Sequence, residues 1–315
     1  MDYVCLAPGL PQSSRLGFGC GSVMGRVGRA PSLRAIAAAC DAGITHFDVA
    51  RLYGYGEAEA LLGEALRGRR DRVVIASKFG LVPTRAAVAL RGLKPLAQKV
   101  VAGIPGLRPL IRSVVGTARA PDRLSSAAAK QSLHESLRSL KTDYLDIFLM
   151  HEGGPADFND ELVGFLDAQV AAGTIRAYGA ASGIATIAEL IRTHGGDILY
   201  QFGNSVCVRN AERLPPAIRK FIAHNPFFDA DRIGALLKAH PDRFRLPAGR
   251  AVEPADVHPL MLAYALGVDN IGVVLCSMLD EEHLRNNIGV AERPAFTADD
   301  IAAFAAVAGS LGLGT

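Results

Sequence analysis

A chain of 315 residues, half of them hydrophobic and with a formal net charge of only +3, is long for one compact sandwich but ordinary for a single α/β barrel. So small a charge gives no overall argument for nucleic acid. The five cysteines (Cys5, Cys20, Cys40, Cys207, Cys276) are odd in number and form no C-x-x-C pair, which suits reduced thiols in a cytoplasmic protein. No basic region followed by an apolar run opens the chain, and no apolar stretch nears the length of a bilayer span. A soluble, cytoplasmic protein is therefore expected.

In chain order, residues 1–14 read as a hairpin capping the bottom of a barrel. Strand-like runs follow at Leu16–Gly19, Thr45–Val49, Val73–Lys78, Asp146–Met150, Arg176–Ala180, Ile198–Phe202, Arg219–Ala223 and Ile271–Leu275. Helical patterns alternate with them at Leu33–Ala42, Glu57–Leu66, Ser125–Leu140, Glu161–Ala172, Ile184–Arg192, Ile233–Ala239 with Pro254–Leu266, and Glu281–Ile288. The connection after the sixth strand is only weakly helical, and Ala298–Ala308 reads as an extra C-terminal helix. Eight strands with intervening helices predict a closed (β/α)8 TIM barrel rather than an open sheet. No repeat, low-complexity tract or linker interrupts the chain, so 1–315 is expected to be a single domain.

Three of the apolar runs finish on ionisable residues. Asp48 and Tyr53 lie in Asp48-Val-Ala-Arg-Leu-Tyr-Gly54, Lys78 ends Val73-Val-Ile-Ala-Ser-Lys78, and His151 ends Asp146-Ile-Phe-Leu-Met-His151. In a parallel barrel the carboxyl ends of the strands share one face, where active sites are built. Taken singly, Asp48 could cap a turn, Tyr53 could be a packing aromatic, Lys78 could snorkel and His151 could be a satisfied core histidine. Taken together, an acid, a phenol, an amine and an imidazole can make a tyrosine that donates a proton. The expected device is a nearby ammonium that lowers the phenol's pKa, with Asp48 holding Lys78 charged and oriented.

Gly17-Phe-Gly-Cys-Gly21, with Asp41 about twenty residues on, has some features of a dinucleotide fingerprint. Its spacing is G-x-G-x-G, however, and Val23–Ala30 reads as a Gly/Arg-rich loop rather than a helix start. Gly19 and Cys20 are instead expected to let backbone approach a cofactor at the barrel mouth. No His-x-His or His-Glu-x-x-His set is present, so no metal is expected.

Over almost its whole length the chain resembles an aldo-keto reductase. The matching pieces are Leu16-Gly-Phe-Gly19, Asp48 with Tyr53-Gly54, Ser77-Lys78, Leu149-Met-His151, Gly173-Thr-Ile-Arg-Ala-Tyr-Gly179, Gln201, and Leu284 with Asn287. The resemblance implies a metal-independent oxidoreductase that passes hydride between NAD(P)(H) and a small carbonyl or alcohol, with Tyr53 as general acid and His151 on the carbonyl oxygen. A nucleotide-sensing, non-enzymatic subunit is the alternative it leaves open. It also implies nicotinamide contacts from Ser182 and Gln201 and stacking near His224, Asn225 and Phe227. Here the family's usual Ser-Asn is Ala181-Ser182, and its Tyr-Ser-Pro is His224-Asn225-Pro226. Asn286 and Asn287 match adenine-contacting positions. Ser277, Leu279 and His283 stand where cations usually grip a 2′-phosphate, and Asp280–Glu282 would repel one. The cofactor is thus NADP(H) or NAD(H), with the preference left open.

The family crosses from Lys78 to His151 in far fewer residues than this chain does. The extra segment, 81–121, contains Arg85, Arg91, Lys94, Lys99, Arg108, Arg112 and Arg119 and no acid, leaving the remainder of the chain slightly acidic. Within it Leu110, Ile111, Val114 and Val115 share a helical face. Solvated cover is one reading. The others are a lid that recruits an anionic substrate, a partner-docking surface, and a peripheral contact with anionic membrane. A monomer or weak oligomer is expected.

Overall fold

The computed structural model describes residues 1–25, 27–84, 117–118, 122–215, 220–293 and 295–310. Two short strands, β1 (Tyr3–Val4) and β2 (Ser13–Ser14), pair antiparallel as the expected hairpin. The first barrel strands are β3 (Leu16–Gly19), β4 (His46–Asp48) and β5 (Val74–Phe79). A short antiparallel pair, β6 (Val82–Pro83) and β7 (Thr117–Ala118), then brings the two ends of the basic segment together. The barrel continues with β8 (Leu145–His151), β9 (Ile175–Ala181), β10 (Leu199–Gly203), β11 (Phe221–His224) and β12 (Ile271–Cys276). The eight barrel strands pair in chain order, and β12 closes on β3 through Val274↔Leu16 and Cys276↔Phe18. Closure excludes the dinucleotide-fold reading of Gly17–Gly21.

Helices α1 (Arg29–Asp41), α2 (Ala58–Ala65), α3 (Ser126–Leu140), α4 (Asp160–Ala171) and α5 (Ile184–His194) lie between the strands. They are followed by α6 (Ala230–Ala239), α7 (Val257–Gly267), α8 (Glu281–Glu292) and α9 (Ala298–Ser310). Helix α1 begins at Arg29, within the stretch expected to be loop, because Pro31 falls in the first turn, where its missing N–H costs no hydrogen bond. After β10 the described residues contain only a 3-10 turn, Asn210–Arg213, in keeping with the weak helical pattern there. Arg219, the expected start of the seventh strand, lies outside the described residues. So do Arg85, Arg91, Lys94, Lys99, Arg108, Arg112 and Arg119, and the apolar face at 110–115.

Side chains alternate between two cores with the period of two that a strand imposes. Val74 and Ala76, Ile147 and Leu149, Leu199, Ile222, Val273 and Leu275 form one cluster, into which the hairpin sends Leu6 and Leu10. The intervening residues, among them Phe47, Ile75, Phe148 and Phe202, pack with the helices in a second cluster. The first cluster is the barrel interior, plugged from below by the hairpin. At that amino-terminal end Asp146, fully buried, accepts from the Ile75 amide and pairs with Arg70 at 2.8 Å and Arg176 at 2.7 Å. Continuing the same period upward puts Asp48, Lys78, His151 and Gln201 on the interior face at the carboxyl ends.

Candidate active site

Asp48 is the last residue of β4 and is 3% exposed. Five residues later Tyr53 opens a tight turn whose Gly54, Tyr55 and Gly56 have φ of 58°, 61° and 88°. A Cβ at Gly54 would lie 2.7 Å from the Val23 carbonyl oxygen, so only glycine lets this turn seat against Val23. That contact fixes where the phenol goes.

Lys78 reaches across from β5. Its Nζ donates to both Asp48 carboxylate oxygens at 2.6 Å and to the Val49 carbonyl at 3.2 Å. The same ammonium lies 5.3 Å from the centre of the Tyr53 ring. His151, at the end of β8, meets Tyr53 edge-on with ring centres 6.4 Å apart. Gln201 on β10 donates to Asp48 Oδ2 at 3.2 Å. The four residues singled out from sequence are therefore one constellation at the barrel mouth.

Burial sets the protonation states. Desolvation disfavours the Lys78 ammonium, yet Asp48, by charge and hydrogen bonding, together with Tyr53 more than restores it, and the amine titrates above its usual value. His151 is pushed down to about 3, first by burial and then by the Lys78 charge, so its imidazole is neutral at pH 7. Burial also raises the Tyr53 phenol; Lys78 pulls it down by charge and hydrogen bonding, but the net direction is upward. This corrects the expectation of a lowered phenol. Lys78 offsets part of the desolvation cost rather than overcoming it, and Tyr53 holds its proton at neutral pH.

Beside the mouth runs a groove of about 790 Å³, walled by Asn225–Phe228, by α7 at His258, by Cys276 and Ser277, and by α8 at Glu282, His283, Asn286, Asn287 and Val290. Its size matches a ligand far larger than a simple aldehyde. Gln201 Oε1 and His151 Nδ1 are buried without a hydrogen-bond partner. Asn287, only 9% exposed, has no side-chain partner among the described residues. Orphaned polar atoms at the mouth, together with the Asn286 and Asn287 amides in the groove, fit a ligand rich in amides and hydroxyls, as a nicotinamide dinucleotide is. No group of residues suited to a metal ion occurs among the described residues.

The family model described as Aldo/keto reductase family matches residues 15–221, about two thirds of the chain. The chain belongs to the aldo/keto reductase family. Among curated relatives of this aldo/keto reductase are the aldo-keto reductase YhdN of Bacillus subtilis, 28% identical over 57% of the chain, and the methylglyoxal reductase YeaE of Escherichia coli, 28% identical over 56%. The matches span about half of those relatives, 46% and 50% of their lengths. The fold is like that of aldo-keto reductase AKR11C1 from Bacillus halodurans (TM-score 0.70, 23% identical, 98% of this chain and 96% of that one). It is also like an aldo-keto reductase from Klebsiella pneumoniae solved in complex with NADPH (TM-score 0.63, 24% identical, 92% and 89% covered).

The family match ends at Phe221, before the groove begins. Of the residues expected to contact a cofactor in this aldo/keto reductase, Asn225, Phe227, Ser277, His283, Asn286 and Asn287 line the groove. Gly19, Cys20, Ser182, Gln201 and His224 sit instead at the barrel mouth. Gly19 pairs with Asp48, buried Cys20 feels Asp48 and Lys78, the Ser182 amide donates to the Gln201 carbonyl, and Gly203 pairs with half-buried His224. Leu279 is the exception: it packs on the main core cluster beside buried Met278, not in the groove.

Two supporting residues were not singled out from sequence. Glu59, 3% exposed, accepts from Ser77 Oγ at 2.7 Å beneath the strand that carries Lys78, and burial raises its carboxyl. Arg123 donates to the carbonyls of His151 at 3.1 Å and Glu152 at 2.6 Å, pinning the end of β8. An acid on the apolar stripe of α2 was a usable signal for Glu59. Arg123 follows the basic segment and offers no local one.

Proposed function

We propose that this aldo/keto reductase interconverts a small aldehyde or ketone and its alcohol, using a nicotinamide dinucleotide held in the groove with Gln201 and Ser182 at its inner end. When bound, that cofactor supplies or accepts the hydride. Tyr53 gives its phenolic proton to the carbonyl oxygen as charge develops there, the task of a general acid. Lys78, held by Asp48, stabilises the phenolate left behind. The neutral His151 imidazole contributes a hydrogen bond to the same oxygen without adding charge. One observation carries this reading: a buried ammonium, hydrogen-bonded to both Asp48 oxygens and the Val49 carbonyl, lies beside the only tyrosine of the constellation, with a neutral histidine facing that tyrosine.

The test is a panel of aldehydes, ketones and alcohols with each nicotinamide dinucleotide, read at the nicotinamide absorbance. The named activities of relatives, methylglyoxal reductase and aryl-alcohol dehydrogenase, supply the first compounds. Turnover lost in Tyr53→Phe supports the assignment. Nucleotide binding without turnover would favour a sensing role instead, and full turnover by the Phe variant would refute the general acid. Substrate charge enters on sequence alone, through the cations of 81–121. With a carboxylated or phosphorylated carbonyl, kcat/KM should fall as salt rises, while a neutral aldehyde is unaffected. Size-exclusion chromatography checks the expected monomer or weak oligomer, and sedimentation with anionic vesicles checks the membrane contact.

A further inference from the structure

The groove's chemistry goes further than its size. It is lined by aliphatic, aromatic and neutral polar groups with a single carboxylate, Glu282. No lysine or arginine is among its lining residues. Arg285, the nearest cation in sequence, lies on α8 about 130° around the helix from the centre of the face formed by residues 282, 283, 286, 287 and 290, at ~100° per residue. Leu279 is half-buried against the core cluster and is not among the groove's lining residues, so its side chain offers no donor there either.

The amino end of α8 is also taken. A helix start ordinarily offers free amides to an anion. Here Asp280 Oδ1 accepts from the Glu282 amide at 2.8 Å and the His283 amide at 3.3 Å, and those amides hold its carboxyl below the usual range. Asp280, Glu281 and Glu282 thus place three carboxylates where a phosphate would need donors. Independently, Asn287, nine-tenths buried and without a side-chain partner, lines the groove beside Asn286. That pair offers neutral donors and acceptors, suited to an uncharged base and sugar hydroxyls.

We infer that this groove selects the dinucleotide that lacks a 2′-phosphate, NADH over NADPH, with the Glu282 carboxylate accepting from ribose hydroxyls and repelling a phosphate. This rests on the groove being the dinucleotide site. A carboxylate in that role is the device by which other folds prefer NAD. A phosphate monoester of about −1.5 to −2 charge at pH 7 would find no lysine or arginine on the groove's lining and would meet a like charge there.

The test is equilibrium binding without substrate, followed by nicotinamide fluorescence; the chain has no tryptophan, so protein background is low. NADH should bind at least about tenfold more tightly than NADPH at low ionic strength, and the ratio should shrink as salt screens the exposed carboxylates. Glu282→Gln should bring the ratio within about threefold, mostly by tightening NADPH, and Glu282→Arg or His283→Arg should invert it. Glu282 and His283 are exposed, so circular dichroism melts of these variants should match the parent. NADPH binding as tightly as NADH to the parent, or a ratio unmoved by Glu282→Gln, would overturn the inference while leaving the reductase reading intact. Binding of neither nucleotide at millimolar concentration would overturn both.

Discussion

Replacing Lys78 with Met keeps the apolar stem and removes the ammonium, so it separates packing from charge. In the parent, Nζ satisfies both Asp48 oxygens at 2.6 Å, and both side chains are under 5% exposed. Among the described residues, the variant leaves a buried carboxylate with only the Gln201 amide, at 3.2 Å, as its partner. Breaking a buried pair on one side costs about 3–5 kcal/mol. Unfolding entropy of about 2.1 cal/mol/K per residue over 315 residues gives about 0.66 kcal/mol/K, so the melting temperature should fall by roughly 5–8 °C. Asp48→Asn, which strands the ammonium instead, should cost a comparable amount. The double variant removes both charges and should be more stable than the summed single losses predict, by at least about 2 kcal/mol. Turnover should be low in Lys78→Met and in the double variant, which lack the ammonium beside Tyr53, and less reduced in Asp48→Asn, which keeps the ammonium but loses the carboxylate that orients it. Urea denaturation of the four proteins measures the coupling and a carbonyl assay measures the rates. Single losses below about 1 kcal/mol, or additivity within about 0.5 kcal/mol, would refute the idea of a tightly coupled buried pair.

Tyr53→Phe should lower kcat by about 10²–10⁴-fold while nucleotide affinity, read by fluorescence titration, stays near that of the parent. Since Tyr53 is raised and His151 is down at about 3, reduction should be flat from pH 5 to 9 and fall only above about pH 10 as the phenol ionises. A limb near pH 6–7 in kcat/KM would mean that an imidazolium takes part after all. His46, fully buried and lowered to about 4, costs nothing above pH 6.5; below that, the unfolded chain takes up a proton that the folded one refuses. Stability should therefore drop by about 2 kcal/mol between pH 6.5 and 5 from this group, a loss that urea denaturation should find absent in His46→Gln. Gly63→Ala would put a Cβ 2.3 Å from the Leu140 carbonyl, forcing α2 off α3 and costing about 1–3 kcal/mol in the same measurement.

The barrel and its four central residues were legible because both are written in local patterns. Short apolar runs marked the strands, and chain order alone puts neighbouring parallel strands side by side. Ionisable residues closing three of those runs, Asp48, Lys78 and His151, therefore had to converge at one end. The glycines after Tyr53 announced the turn that aims it. Other features depend on segments distant in sequence and carry no local mark. Glu59 meets Ser77 only because α2 packs on β5, and Arg123 meets the His151 carbonyl only because the start of the segment leading into α3 lies beside the end of β8. Leu279 looked like a groove residue by position, but after β12 it packs half-buried against the core cluster. The upward shift of the Tyr53 phenol has the same origin. A neighbouring charge can be read from sequence, whereas desolvation depends on how much protein surrounds the phenol, and only the folded chain sets that.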